Sequence, residues 1–154
     1  MAGKKWMLIA ATLVAVGAMV FGGVALAADT MLEAHLTGAN EVNGAGVPNQ
    51  GDPDGSGDAT VNLMPRKAKV CYTLTVRDIA PAQAAHIHKA PAGENGPIVK
   101  ELKAPSDGSS EGCARLSRMK IKMIKNNPAG YYVNVHNGAF PNGALRGQLT
   151  PAGP

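Results

Sequence analysis

Aromatic residues make up only 4% of this 154-residue sequence, with one Trp, three Tyr and two Phe, and charged residues only 17%. So few rings leave no basic stretch interleaved with aromatics of the kind that stacks and binds nucleobases. The excess of 15 Lys and Arg over 11 Asp and Glu is modest. Without Lys4 and Lys5, which lie in a segment read below as removable, 13 basic residues face 11 acidic ones and the balance falls to +2. Nucleic acid is therefore not expected as a partner. Two cysteines are too few for a disulfide-built miniprotein or a four-thiolate zinc site. No Ser-His-Asp arrangement, reactive cysteine, phosphate-binding glycine loop or paired-carboxylate hydrolase pattern is visible. Glycine (19) and proline (11) are plentiful, without the three-residue period of collagen, and the apolar share is 45%. Short strands joined by tight turns suit this composition better than a helical bundle.

Residues 1–27 carry Lys4 and Lys5, an apolar run from Trp6 to Leu26, and the small-residue pattern Ala25-Leu26-Ala27. That is the layout of an export signal cleaved after Ala27, which leaves a single domain over residues 28–154 in a periplasmic or secreted location. The competing reading is an uncleaved membrane anchor, because an apolar run of about 21 residues approaches bilayer length. Gly17, Gly22 and Gly23 weaken such a helix. Once the signal is removed, no membrane partner is expected. No cysteine lies near the cleavage point to carry a lipid.

Beyond Met31 the apolar residues alternate, interrupted by Gly, Pro, Asn and Asp clusters, as in antiparallel strands and their turns. The alternation predicts strands at about 31–37, 57–63, 68–77, 84–88, 97–102, 111–117, 131–136 and 144–149. About eight antiparallel strands imply an all-β fold, a Greek-key β-sandwich or flattened barrel. The segment Ser117–Lys125 is the best helix candidate, or else a loop packed across the barrel end. Alternation turns Val70, Tyr72, Leu74 and Val76 inward and Cys71 outward, and with Ala114 and Leu116 inward it places Cys113 outward too. If their strands are neighbours, Cys71 and Cys113 form a cross-strand disulfide, as an oxidising compartment allows.

Three of the four histidines fall where a metal site can be assembled. His86 and His88 flank Ile87, so on a strand both rings leave the same face. In Tyr132-Val133-Asn134-Val135-His136 the two valines face the core, and Tyr132, Asn134 and His136 face the other way. Paired strands would bring His86, His88 and His136 together, a donor set that suits copper, with zinc as the alternative. The bland reading is that the rings hydrogen-bond loop carbonyls. His35 faces outward on the first strand and reads as a solvated residue. Asp52, Asp54 and Asp58 have the spacing of a calcium loop but lack its downstream Glu, and the same stretch is a strong turn. Glu41 and Glu94 are candidate ligands or acceptors near the histidines. Loops 89–96 and 137–143 would form the rim.

The runs Leu36-Thr37-Gly38-Ala39-Asn40-Glu41-Val42, Ala85-His86-Ile87-His88-Lys89-Ala90-Pro91-Ala92-Gly93, Asn95-Gly96-Pro97, Tyr132-Val133-Asn134-Val135-His136 and Phe140-Pro141-Asn142-Gly143-Ala144-Leu145-Arg146-Gly147-Gln148-Leu149 resemble, in order, the motifs of the CHRD domain family. The resemblance spans about residues 31–150 and implies an exported all-β domain, without settling its activity. More distantly, the order of strands, His-x-His and late Val-His is similar to copper/zinc superoxide dismutase. That likeness implies copper ligands at His86, His88 and His136, with Arg146 steering superoxide or another small anion, and it makes the Cys71 and Cys113 strands neighbours. No histidine lies between His88 and His136, so the bridging imidazole and zinc subsite of that enzyme have no counterpart. A copper-only site, completed by water or a side chain such as Tyr132, is what remains. Arg146 has a structural alternative, a salt bridge to Glu41 or Glu94. The competing functional class is a non-catalytic envelope or extracellular module with structural histidines.

Overall fold

Leu32, Ala34 and Leu36 on β1 (Thr30–Thr37), Ala59, Val61 and Leu63 on β2 (Ser56–Met64), and Val70, Tyr72, Leu74 and Val76 on β3 (Lys69–Arg77) are buried. The period of two turns one side of each strand to a common interior. The computed structural model describes residues 28–153, and the expected export signal lies outside them. The barrel continues through β4 (Ala82–His88), β5 (Ile98–Leu102), β6 (Ser109–Arg115), β7 (Tyr132–Asn137) and β8 (Leu145–Gln148), of which β7 and β8 are buried on both sides rather than on one. A two-residue β9 (Thr150–Pro151) pairs with β1. It is too short to show any alternation, which is why the sequence reading ends at eight strands.

The strands pair antiparallel in the order β5-β4-β7-β8-β1-β2-β3-β6. The result is a nearly closed, all-β barrel. Its open seam lies between β5 and β6, and side chains cross it. Lys103, just after β5, donates its N–H to the Tyr72 hydroxyl at 2.7 Å, and its carbonyl accepts from Ser110 Oγ at 2.7 Å. Gly112 faces that phenol; a Cβ there would come within 2.8 Å of the hydroxyl oxygen, so glycine lets the Tyr72 ring lie across the seam.

One end of the barrel is plugged by α1 (Arg118–Asn126), on the connection from β6 to β7. Ser117 Oγ accepts from Lys120 N and caps the helix, as Ser prefers to do. Ile121 and Ile124 share one face and are fully buried. The segment is thus a helix and also the packing element across the barrel end.

Cys71 and Cys113 sit directly opposite each other on β3 and β6, with Cα atoms 4.0 Å apart, and form a disulfide. The bond ties the second-last strand of the path to the seam strand, across 42 residues of sequence. Restricting a loop of that length in the unfolded chain stabilises the fold by about 4 kcal/mol in the chain-entropy account. The double variant Cys71→Ala, Cys113→Ala is expected to lose about 2–4 kcal/mol of unfolding free energy in urea titrations, while keeping its strand-type circular dichroism. A loss below 1 kcal/mol would mean that the seam is held without the bond.

Candidate metal centre

Ile87 is fully buried, so the flanking His86 and His88 both leave β4 on the outer side of the barrel. On β7, Val133 and Val135 fill the interior, which puts Tyr132, Asn134 and His136 on the same outer side. Asn134 lies opposite His86, Tyr132 opposite His88, and His136 opposite Ala84. One ligand nitrogen from each of His86, His88 and His136 lies within 4.8 Å of the others. Among the described residues this is the one such group of three or more His, Cys, Asp or Glu side chains.

The neighbours of each ring fix where its lone pairs point. His88 Nδ1 meets the Gly96 carbonyl at 2.8 Å and His136 Nδ1 meets that of Pro141 at 3.0 Å. A carbonyl only accepts, so both Nδ1 atoms carry protons and both Nε2 atoms carry lone pairs. His86 Nδ1 then donates to His136 Nε2 at 3.2 Å. The His88 Nε2 lone pair is buried with no partner at all. Two of three imidazoles are therefore held in the ligand tautomer by backbone oxygens, the arrangement that metal-ligating histidines use.

Burial lowers the pKa of all three histidines. His86 is pushed down further by His136 and His88, and His88 by His136 and Arg146, while the carbonyls on His88 and His136 act in the opposite direction. The cluster is thus neutral at neutral pH, as ligation requires. In front of it opens a cavity of about 370 Å³, lined by His88, His136, Tyr132, Asn134, Asn95 and Asn43 among others and by no charged side chain. The Asn134 Oδ1 atom is also buried and unpartnered.

Behind this wall lies Arg146, 1% exposed. Its guanidinium donates to the carbonyls of Pro91 at 3.0 Å and Glu94 at 2.6 Å and to Asn95 Oδ1 at 3.3 Å, and it stacks 3.5 Å from the centre of the Tyr132 ring. Tyr132 in turn stacks on His88, with centroids 4.8 Å apart and planes 6° from parallel. The expected anion-steering residue therefore holds loop 89–97 against the sheet and reaches the site through Tyr132. It takes Glu94 by the backbone carbonyl, so the expected salt bridge to a Glu94 carboxylate is not formed. Glu41, 2% exposed, is its electrostatic neighbour without a direct ion pair. The Glu41 carboxylate accepts from Asn134 Nδ2 and packs on Gly143, where a Cβ would come within 2.4 Å of its oxygen. Burial, partly offset by Arg146 and Asn134, raises its pKa from 4.5 to about 7.

The remaining candidates lie elsewhere. His35 is on the barrel surface, 3.0 Å from Asp58, which also meets Arg77 at 3.4 Å. Asp58 lies within β2, and the three aspartates of the calcium-like spacing do not converge. Tyr132 offers its hydroxyl to the Gly96 N–H. Neither Glu41 nor Glu94 joins the histidines. Sequence reasoning reads Asn95 only as part of a turn at the rim; its Nδ2 in fact ties that rim to the Val42 and Asn43 carbonyls, so that loop 38–55 folds over the site, which the sequence did not foretell. The outward phase of Asn134 beside His86 was the one available signal.

Replacing Arg146 by Met leaves buried carbonyls unpaired and is expected to cost on the order of 3 kcal/mol of stability in denaturant titration. Glu41 gives a pH dependence of defined sign. The folded protein holds the Glu41 proton more tightly than the unfolded chain does. This stabilisation is complete below pH 4.5 and is lost as pH rises to about 7, then changes no further. The fall attributable to Glu41 is about 3 kcal/mol, and Glu41→Gln, which keeps the acceptor for Asn134, is expected to abolish it; an unchanged slope in the variant would place the titration elsewhere.

The chain matches the CHRD domain family over residues 32–149. No curated protein and no solved structure matches it. Domains of this family are extracellular, the disulfide fits that setting, and no helix among the described residues is long and apolar enough to cross a membrane. Nearly every strand of the barrel, the histidine cluster and the Arg146 clamp fall within the matched span, and the chain belongs to the CHRD domain family.

Proposed function

We infer that this is an extracytoplasmic copper-binding domain whose ligands are His86, His88 and His136. The observation that carries the reading is the buried, unpartnered lone pair of His88 Nε2, aimed by the Gly96 carbonyl and gathered with nitrogens of two other neutral imidazoles. An orphaned buried acceptor costs stability unless something occupies it, and a cation satisfies it. Three imidazoles suit copper, and zinc accepts the same donors. Bound copper would supply one-electron chemistry, and superoxide dismutation is the redox activity that the dismutase-like layout suggests. The chain's own contribution is to orient His88 and His136 through backbone carbonyls, to keep Tyr132 stacked on His88, and to set the positive charge of Arg146 behind them.

A second reading, a non-catalytic extracellular module, is favoured by the hydrogen bonds of His88 and His136 to loop carbonyls, since those bonds also brace the rim. Metal content separates the two. The protein purified from its exporting cell, and again after copper or zinc loading, is expected to hold close to one copper per chain. Replacing His88 by Gln should remove it without unfolding the barrel. No metal above trace in either preparation of the folded protein would exclude copper binding, and altered adhesion in a His86→Gln, His88→Gln variant of unchanged metal content would establish the module. Stoichiometric copper makes a superoxide assay the next measurement.

A further inference from the structure

Eight of the 13 Lys and Arg residues after position 27 fall in two short stretches, 66–69 and 115–125, neither of which contains an acid. The fold brings the two stretches together at the barrel end plugged by α1. Lys69 lies directly opposite Arg115, Leu116 N–H donates to the Ala68 carbonyl at 3.0 Å, and Arg118 donates to the carbonyls of Pro65 at 3.1 Å and Arg66 at 3.2 Å. Like charges directly opposite on neighbouring strands are destabilising, so the fold carries this concentration at a cost. Lys67, Lys69, Arg115, Lys120, Lys122 and Lys125 have no ion-pair partner among the described residues.

Two further observations give this end a direction. Ile121 and Ile124 turn inward, which leaves Met119 (72% exposed) and Met123 (42% exposed) on the solvent side of α1 among its lysines. The apolar face of α1 is spent on the barrel, so what it offers outward is a set of cations with two exposed apolar side chains among them, a surface suited to anionic headgroups. The chain also enters the barrel here: Lys125 Nζ donates to the Ala28 carbonyl, and in sequence Ala28 stands two positions after the apolar run Trp6–Leu26. Asp29 is the one acid beside this entry.

We propose that the α1 end is a docking face for an anionic lipid bilayer, with the lysines of 66–69 and 118–125 at the headgroups and Met119 and Met123 at their boundary with the acyl chains. Nucleic acid is disfavoured because no aromatic residue stands among these cations. The proposal replaces the expectation of no membrane partner for the cleaved chain, and it is independent of the histidine site. Clusters of four to eight basic residues of this kind bind anionic bilayers with an affinity that multiplies with each residue added.

The test uses the metal-free protein in the form that the exporting cell makes. It is mixed with vesicles of phosphatidylcholine alone or with about a third phosphatidylglycerol, and peroxide oxidation of Met119 and Met123 is followed by mass spectrometry. A difference between the two vesicle types reports contact at α1 even where an uncleaved apolar segment inserts into both. The expected result is protection by the anionic vesicles only, lost at high salt and in the variant Lys120→Gln, Lys122→Gln, Lys125→Gln, whose partitioning should fall roughly a hundredfold. Equal protection on neutral vesicles, protection that survives the triple substitution, or no protection at all would overturn the proposal. Salt-sensitive retention on an anionic polysaccharide without vesicle contact would also overturn it, and would assign the face to a polymer.

Discussion

The architecture around the histidines depends on one buried cation. Arg146 sits on β8, yet its guanidinium is bonded to three groups of a loop that begins after β4, and its flat face rests on Tyr132 of β7. Taking a guanidinium out of water is costly, and carbonyl oxygens offset that cost only when they are fixed in place. Here they are fixed because Asn95 is tied to the Val42 and Asn43 carbonyls and Gln148 Nε2 to those of Ala90 and Ala129. Two loops of irregular backbone are thus referred to one strand residue. The Gly96 carbonyl that orients His88 belongs to the same loop.

The barrel makes this precision possible. His86, His88 and His136 are carried by neighbouring strands whose alternate residues are locked in the core, so their Cβ positions cannot drift independently. Only the ring torsions are left open, and those of His88 and His136 are set by carbonyls of the Gly96 and Pro141 turns, that of His86 by His136. A site whose backbone is a sheet and whose tautomers are chosen by loops is rigid in position and tunable in chemistry.

The strands and the two-sided phase of each histidine were legible because they follow from local alternation, which the sheet preserves. The disulfide was legible for the same reason, once β3 and β6 were neighbours. The roles of Arg146 and Glu41 were not. Arg146 alternates like any outward residue, and outward on this sheet means under loop 38–55 and loop 89–97 instead of in water. Nothing in the run Glu41–Gln50 signals that it crosses the sheet to meet Asn95, because that contact is made by backbone carbonyls, which every sequence possesses. The same blindness applies to the basic end: Arg66–Lys69 and Arg115–Lys125 are unremarkable separately and become one surface only through the β3–β6 register.

The pairing of Arg146 with Glu41 also bears on the electric field at the histidines. Arg146 already lowers the pKa of His88, so its charge is felt there although it touches no solvent. Glu41 is the acid placed to offset it, and burial raises its pKa to about 7. Above that pH the pair is balanced and the wall behind the cavity is close to neutral. Below it Glu41 is protonated, the charge of Arg146 is uncompensated, and the cavity, which has no charged lining of its own, becomes more positive. An anion entering among Asn43, Asn95 and Asn134 would therefore be attracted more strongly on the acid side of neutrality, by a charge it cannot reach.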